Sequence, residues 1–208
     1  MPVSREYCEA HGLTAEKIAD TMIDWYRRVD AMCDAVVARL REAGLALQCR
    51  AGCCGCCRDD LSVTKAEAAV IRRMFPDIGC EKPHDVGKCP FLDDDGLCRI
   101  YAARPYICRT HGLPMRCVLS AEEAAELGYD AADDAEGVEL RDICEVNAED
   151  LDVMELGEEM MLTQGIAEAQ LAMMNECAFG DDERISMRDF FKEGLHNWPS
   201  VHLSVFHS

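Results

Sequence analysis

The sequence predicts a mostly α-helical chain in which long helices flank an irregular, cysteine-rich core that carries a small β-hairpin. Three observations predict it. Apolar residues recur at steps of mostly three and four over residues 14–47 and provide further apolar surface over 148–178. Between these stretches Gly and Pro break the chain repeatedly, and ten of the 14 cysteines fall between residues 49 and 117. The chain's 208 residues fit a single domain, long enough to bury a real core.

The first helix spans 14–47, with Thr14 as N-cap and an apolar stripe of Ile18, Met22, Trp25, Val29, Met32, Val36, Leu40, Ala43 and Leu47. Its length of roughly 45–50 Å requires another long element or a partner chain against it. Cys33 lies beside the stripe as a small core residue, and Cys8, near His11 in the leader, has no companion ligands. Thr64-Lys65-Ala66-Glu67 has capping-box spacing and opens a short helix that Pro76 stops. Residues 77–88, with Cys80 and His84, form a loop. Cys89-Pro90-Phe91-Leu92 and Leu97-Cys98-Arg99-Ile100-Tyr101 flank the acidic turn Asp93-Asp94-Asp95-Gly96 as a hairpin. Arg104-Pro105 breaks the chain again before Cys108, His111 and Cys117. A second capping box, Ser120 to Glu123, opens a helix that Gly128 ends, and the acidic stretch 129–142 reads as a surface linker. Asn147 caps the second long helix, 148–178, with Leu151, Met154, Met161, Leu162, Leu171 and Met174 as a packing face. Ser186 starts a last short helix, and alternation of Val201, Leu203 and Val205 predicts a terminal strand. The histidines His196, His202 and His207 read as surface or packing residues.

Composition excludes several classes. Forty acidic against 21 basic residues leave a net charge of −19, which repels phosphate backbones and anionic bilayers, so neither nucleic acid nor a membrane surface is an expected partner. The N-terminus lacks the apolar stretch of a signal peptide, and no run of about 18 apolar residues occurs. The expectation is a cytoplasmic protein with reduced thiols.

The dense stretch is Cys49-Arg50-Ala51-Gly52-Cys53-Cys54-Gly55-Cys56-Cys57. Adjacent cysteines rarely reach the geometry of a mutual disulfide, whereas thiolates converge readily on a soft metal. A disulfide framework remains the alternative, without an export signal to favour it. Zinc and iron–sulfur clusters both take about four sulfurs per centre. A compact triplet with a remote fourth cysteine favours iron–sulfur, and paired turns favour zinc. The Cys49-x3-Cys53-x2-Cys56 spacing also occurs in radical S-adenosylmethionine enzymes, but this chain shows little room for six strand–helix units.

Cys49-x3-Cys53-x2-Cys56-Cys57-Arg58, followed by Val63, Thr64 and Glu67, resembles the opening of the YkgJ-like cysteine cluster family, the CxxCxxCC zinc/iron-chelating domain. A second block, Cys89-Pro90-Phe91-Leu92 through Cys98, Tyr101, Arg104-Pro105 and Cys108-Arg109, and the Cys144-x-x-Asn147 element also resemble that family, so the likeness covers about residues 45–150. It implies metal ligands at Cys49, Cys53, Cys56, Cys57, Cys89, Cys98, Cys108 and Cys144, forming two thiolate centres or one cluster with thiols left over. The first spacing departs from the family's, Cys54 is an added thiol, and Cys80 and Cys117 match no block. Arg58, Arg99, Arg104 and Arg109 stand beside proposed ligands, where they either offset sulfur charge or bind nearby acids. His111 is an alternative ligand.

The expected function is metal binding, by an iron–sulfur cluster or zinc, in a redox, electron-transfer or metal-handling accessory role, with metal ions and a protein partner as the interacting species. Whether the chain is an enzyme stays open. A domain related to the resembled family occurs in flagellin lysine N-methylases, which implies a protein-lysine methyltransferase as one alternative, although no glycine-rich nucleotide loop follows a strand here. A structural zinc-binding interaction protein is the other. The core is thus expected over 49–117 plus Cys144, flanked by the helices at 14–47 and 148–178.

Overall fold

The computed structural model describes residues 4–129 and 137–192. In chain order the elements are α1 (Arg5–Ala10), α2 (Ile18–Glu42), β1 (Ser62–Thr64), α3 (Lys65–Met74), α4 (Tyr106–Thr110), β2 (Met115–Ser120), α5 (Ala121–Glu126), β3 (Gly137–Asp142), α6 (Glu145–Ala148), β4 (Leu162–Thr163), α7 (Ile166–Phe179) and β5 (Arg184–Ser186), with several short 3₁₀ turns between them. Helix outweighs strand, and the sheets are small. No helix among the described residues is long and apolar enough to cross a membrane.

Residue contacts divide the chain into two compact units: Met1–Tyr26, Ala51–Pro105 and Gln170–Ser208 form one, and Arg27–Arg50 with Tyr106–Ala169 form the other. The division falls within α2 and within α7. Along α2, Ile18, Met22, Trp25, Val29, Cys33, Val36 and Leu40 are buried, whereas Met32 is 43% exposed. Cys33 therefore continues the apolar stripe in place of Met32, and the helix is shorter at both ends than the 14–47 periodicity implies.

In the first unit, β1 pairs antiparallel with β5 in the register Ser62↔Ser186, Val63↔Ile185, Thr64↔Arg184. Thr64 then caps α3 through a complete capping box: its Oγ1 accepts from the Glu67 N–H at 3.2 Å, and Glu67 Oε2 accepts from the Thr64 N–H at 2.9 Å. Buried Asn175 of α7 accepts from the Ala66 N–H at 3.1 Å and donates to the Asp181 carbonyl at 2.7 Å. Phe91 is fully buried against Phe190 and Phe191, with ring centroids 5.4 and 5.2 Å away. A disulfide joins Cys8 of α1 to Cys177 of α7. This corrects the expectation of uniformly reduced thiols and an incidental Cys8, because a long-range pairing leaves no local mark in the sequence.

In the second unit, β2 is the middle strand of the order β3-β2-β4, antiparallel to β3 from Met115↔Asp142 to Ser120↔Gly137 and parallel to β4. The Ser120–Glu123 capping box forms and opens α5, and Gly128 follows with φ +80°. Residues 137–142 are thus a strand rather than part of a linker. Gly137 permits the close pairing, since a Cβ there would lie 2.2 Å from the Leu119 carbonyl oxygen.

Residues 148–178 do not form one helix; α6, two 3₁₀ turns, β4 and α7 replace it. Two local causes stand out. The Asp152 side chain accepts from the Met154 N–H at 2.9 Å, which competes with helix propagation, and Gly165 adopts φ +112°, outside the helical region. The hairpin expected at 89–101 contracts to a single antiparallel bridge, Leu92↔Cys98, because Asp93 Oδ1 accepts from the N–H groups of Asp95 and Leu97 and closes the turn tightly. The terminal strand expected near Val201–Val205, and the histidines His196, His202 and His207, lie outside the described residues.

Candidate metal centre

Of the eight sequence-proposed ligands, Cys53, Cys56, Cys57, Cys89 and Cys98 belong to the first unit, and Cys49, Cys108 and Cys144 to the second. All eight are free of disulfides. Among the described residues, no three His, Cys, Asp or Glu side chains are grouped so as to hold an ion.

In the first unit backbone hydrogen bonds tie two of the cysteine-bearing segments together. The Cys57 N–H donates to the Cys54 carbonyl at 3.1 Å, which folds 54–57 into a turn, and the Cys89 N–H donates to the Cys57 carbonyl at 3.0 Å. That last bond lays the second cysteine block on the first. Cys54 Sγ lies 3.7 Å from the Cβ position of Gly96, so the added thiol rests on the acidic turn that precedes Cys98. Cys89 is buried and Cys98 half-buried. Burial pushes the Cys89 thiol up to about 11, a backbone hydrogen bond from Phe91 opposes this, and the nearby Cys98 adds to it. Burial likewise raises Cys98, against a backbone hydrogen bond from Ile100 and the charges of Arg104 and Arg99. Thiols held this way are protonated at neutral pH, so a metal would take them up with release of protons.

Arg188 braces this region. Its guanidinium donates to Asp59, to the His84 carbonyl at 3.0 Å and to the Lys88 carbonyl at 3.1 Å, fixing the chain just before Cys89. Sequence reasoning missed it, because Arg188 lies about a hundred residues from the carbonyls it binds and carries no motif. The arginines that sequence reasoning did single out bind acids, carbonyls and an aromatic ring. Arg58 pairs with Asp60, Arg99 with Glu81 at 2.7 Å and with the Pro90 carbonyl, and Arg109 with Asp30. Arg104 stacks over the Tyr101 ring at 4.1 Å.

In the second unit Cys49, the first residue of the cysteine-dense stretch, follows α2 outside regular structure. Cys108 is exposed on α4, and buried Cys144 precedes α6. The Cys144 carbonyl accepts from the Asn147 N–H at 2.8 Å. Asn147 is fully buried; its Nδ2 donates to Cys49 Sγ at 3.3 Å and to the Gly112 carbonyl at 2.6 Å, while Oδ1 accepts from the Gln48 N–H at 2.6 Å. A Cβ at Gly112 would stand 2.7 Å from Cys49 Sγ, so the glycine leaves the space that the sulfur fills. The role expected of Asn147, cap of a long helix, is replaced by this long-range bonding within the chain. Cys117, on β2, lines a cavity with Leu119, Leu140 and Tyr129.

The candidate donors are thus thiols: backbone bonds hold the 54–57 turn against Cys89 in one unit, and Cys49 Sγ fills the space that Gly112 leaves in the other. That chemistry fits a soft ion.

The family model of the CxxCxxCC domain, described as "Putative zinc- or iron-chelating domain", matches residues 48–145. Neither the curated proteins nor the solved structures contain a match.

Proposed function

We propose, from the match of residues 48–145 to the model of the CxxCxxCC zinc- or iron-chelating domain, that the chain holds an iron–sulfur cluster, with zinc as the competing occupant. The observation that carries the reading is the coincidence of the matched span with the dense thiols: Cys49, Cys53, Cys56, Cys57, Cys89, Cys98, Cys108 and Cys144 all fall within it. These eight are the proposed ligand set, enough for two centres of about four sulfurs or for one cluster with thiols left over. Bound there, a cluster supplies one-electron transfer, and the chain serves a protein partner as a redox or metal-handling accessory.

The chain's own residues then have defined tasks. The turn at 54–57 and the Cys57–Cys89 backbone bond hold the two cysteine-bearing blocks against each other. Burial of Cys89 keeps water from its sulfur, and Arg188 holds the approach to it rigid. Iron–sulfur takes precedence over zinc because the first block is a compact triplet with remote cysteines to complete the set.

Anaerobic purification followed by iron, acid-labile sulfide and zinc analysis tests the proposal. Iron and sulfide in equal, stoichiometric amounts are expected. Stoichiometric zinc without sulfide would remove the cluster and leave metal binding, and a protein free of both metals after reconstitution would remove the proposal entirely.

A further inference from the structure

We infer that Asn147 is a positioning residue for the metal, aiming the sulfur of Cys49, and that Gly112 provides the space in which that sulfur sits. The inference rests on the reading above that Cys49 is a ligand.

Asn147 is fully buried, and its whole amide is committed. One N–H donates to the Gly112 carbonyl at 2.6 Å and the Nδ2 also donates to Cys49 Sγ at 3.3 Å, while the oxygen accepts from the N–H of Gln48, the residue before Cys49, at 2.6 Å. The side chain therefore fixes both the backbone leading into Cys49 and the sulfur itself. Sulfur is a weak acceptor as a thiol, and an ionised acceptor makes the stronger hydrogen bond. A buried amide donor aimed at sulfur is thus best satisfied when the sulfur is a metal-bound thiolate, the outer-shell arrangement that orients ligands in metal sites.

Gly112 adds an independent constraint. Its requirement is space: a Cβ would come within 2.7 Å of Cys49 Sγ and 3.6 Å of Cys49 Cβ. An added methyl there forces a shift, and the atom it meets first is the sulfur that Asn147 holds. Two residues 35 positions apart hence set the position of one sulfur.

The test titrates metal-free protein anaerobically with Co(II), following thiolate-to-cobalt charge-transfer absorption and measuring affinity by chelator competition. Asn147→Ala and Gly112→Ala are each expected to keep the wild-type stoichiometry, bind Co(II) about 10- to 100-fold more weakly and shift the charge-transfer band. Cys49→Ser should lower the band's intensity, and adding Asn147→Ala to it should then change affinity no further. Wild-type affinity and spectrum in both single variants would overturn the inference, as would fully additive losses in the double variant. Far-UV circular dichroism checks folding; should Asn147→Ala unfold, Gly112→Ala decides alone, because it keeps the Asn147 side chain and crowds the sulfur of Cys49. If the wild-type protein binds no Co(II), metal binding itself falls; if it binds and the variants match it, only the role of Asn147 falls.

Discussion

Severing the Cys8–Cys177 disulfide should weaken the fold far more than the modest contacts of α1 imply. The link joins residues 169 positions apart, and restricting an unfolded chain over a loop of that length is worth about 5 kcal/mol at 25 °C in the chain-entropy treatment. Compactness of the real denatured state lowers this, so a loss of about 3–5 kcal/mol is expected. Helix α1 is six residues long and Cys8 is its buried residue, so little else in that helix offsets the loss. The perturbation is the Cys8→Ala/Cys177→Ala double variant, compared with wild type by urea unfolding at matched metal content. Its midpoint should fall, and its m-value should rise because the unlinked denatured chain exposes more surface. Two results would refute the reasoning: an unchanged midpoint and slope, or non-reducing peptide mapping that finds both sulfurs as free thiols in the natively purified protein.

Phe91→Ala should cost about 3–5 kcal/mol in equilibrium unfolding, since the ring is fully buried and touches both Phe190 and Phe191. Cys56→Ser should reduce bound metal whereas Cys54→Ser, outside the proposed ligand set, should leave it unchanged; metal analysis of the two variants side by side checks this. Glu139 is held below the usual carboxylate range, first by the hydrogen bond from Arg141 and then by that from Arg116. Its contribution is present above the unfolded-state value near pH 4.3 and is lost as pH falls through the lower folded value. Between about pH 5 and 3, Glu139→Gln should therefore show a shallower loss of thermal stability than wild type, by about 1 kcal/mol or less.

What the sequence disclosed was local. Thr64/Glu67 and Ser120/Glu123 form the capping boxes that their spacing implies, because both partners lie within one turn and the bonds need nothing from the rest of the chain. The α2 stripe was legible for the same reason, apart from the exchange of Met32 for Cys33, which periodicity alone cannot decide since both fit within one residue of the seam. The failures were nonlocal. Apolar residues over 148–178 support a helix as well as they support the broken path observed, and the choice fell to Asp152, to the φ of Gly165 and to the edge of β2 that β4 completes. The family likeness did foretell the matched domain, because motif spacing is itself a sequence property.

Asn147 shows where such reading stops. Ahead of an apolar run, a carboxamide serves equally as a helix cap or as a tie between distant segments, and the chemistry of the side chain is identical in both. The distinction lies wholly in the partners. A cap at that position would accept from an N–H two or three residues onward, whereas the carboxamide oxygen here accepts from Gln48, 99 positions away, and Nδ2 donates to Cys49 and Gly112. Burial then makes the choice costly to reverse, since an amide that has left water and lost these partners forfeits about 1–3 kcal/mol for each unsatisfied group. The residue that a sequence reading assigns to helix initiation is therefore bound instead to the geometry of a cysteine 98 positions earlier.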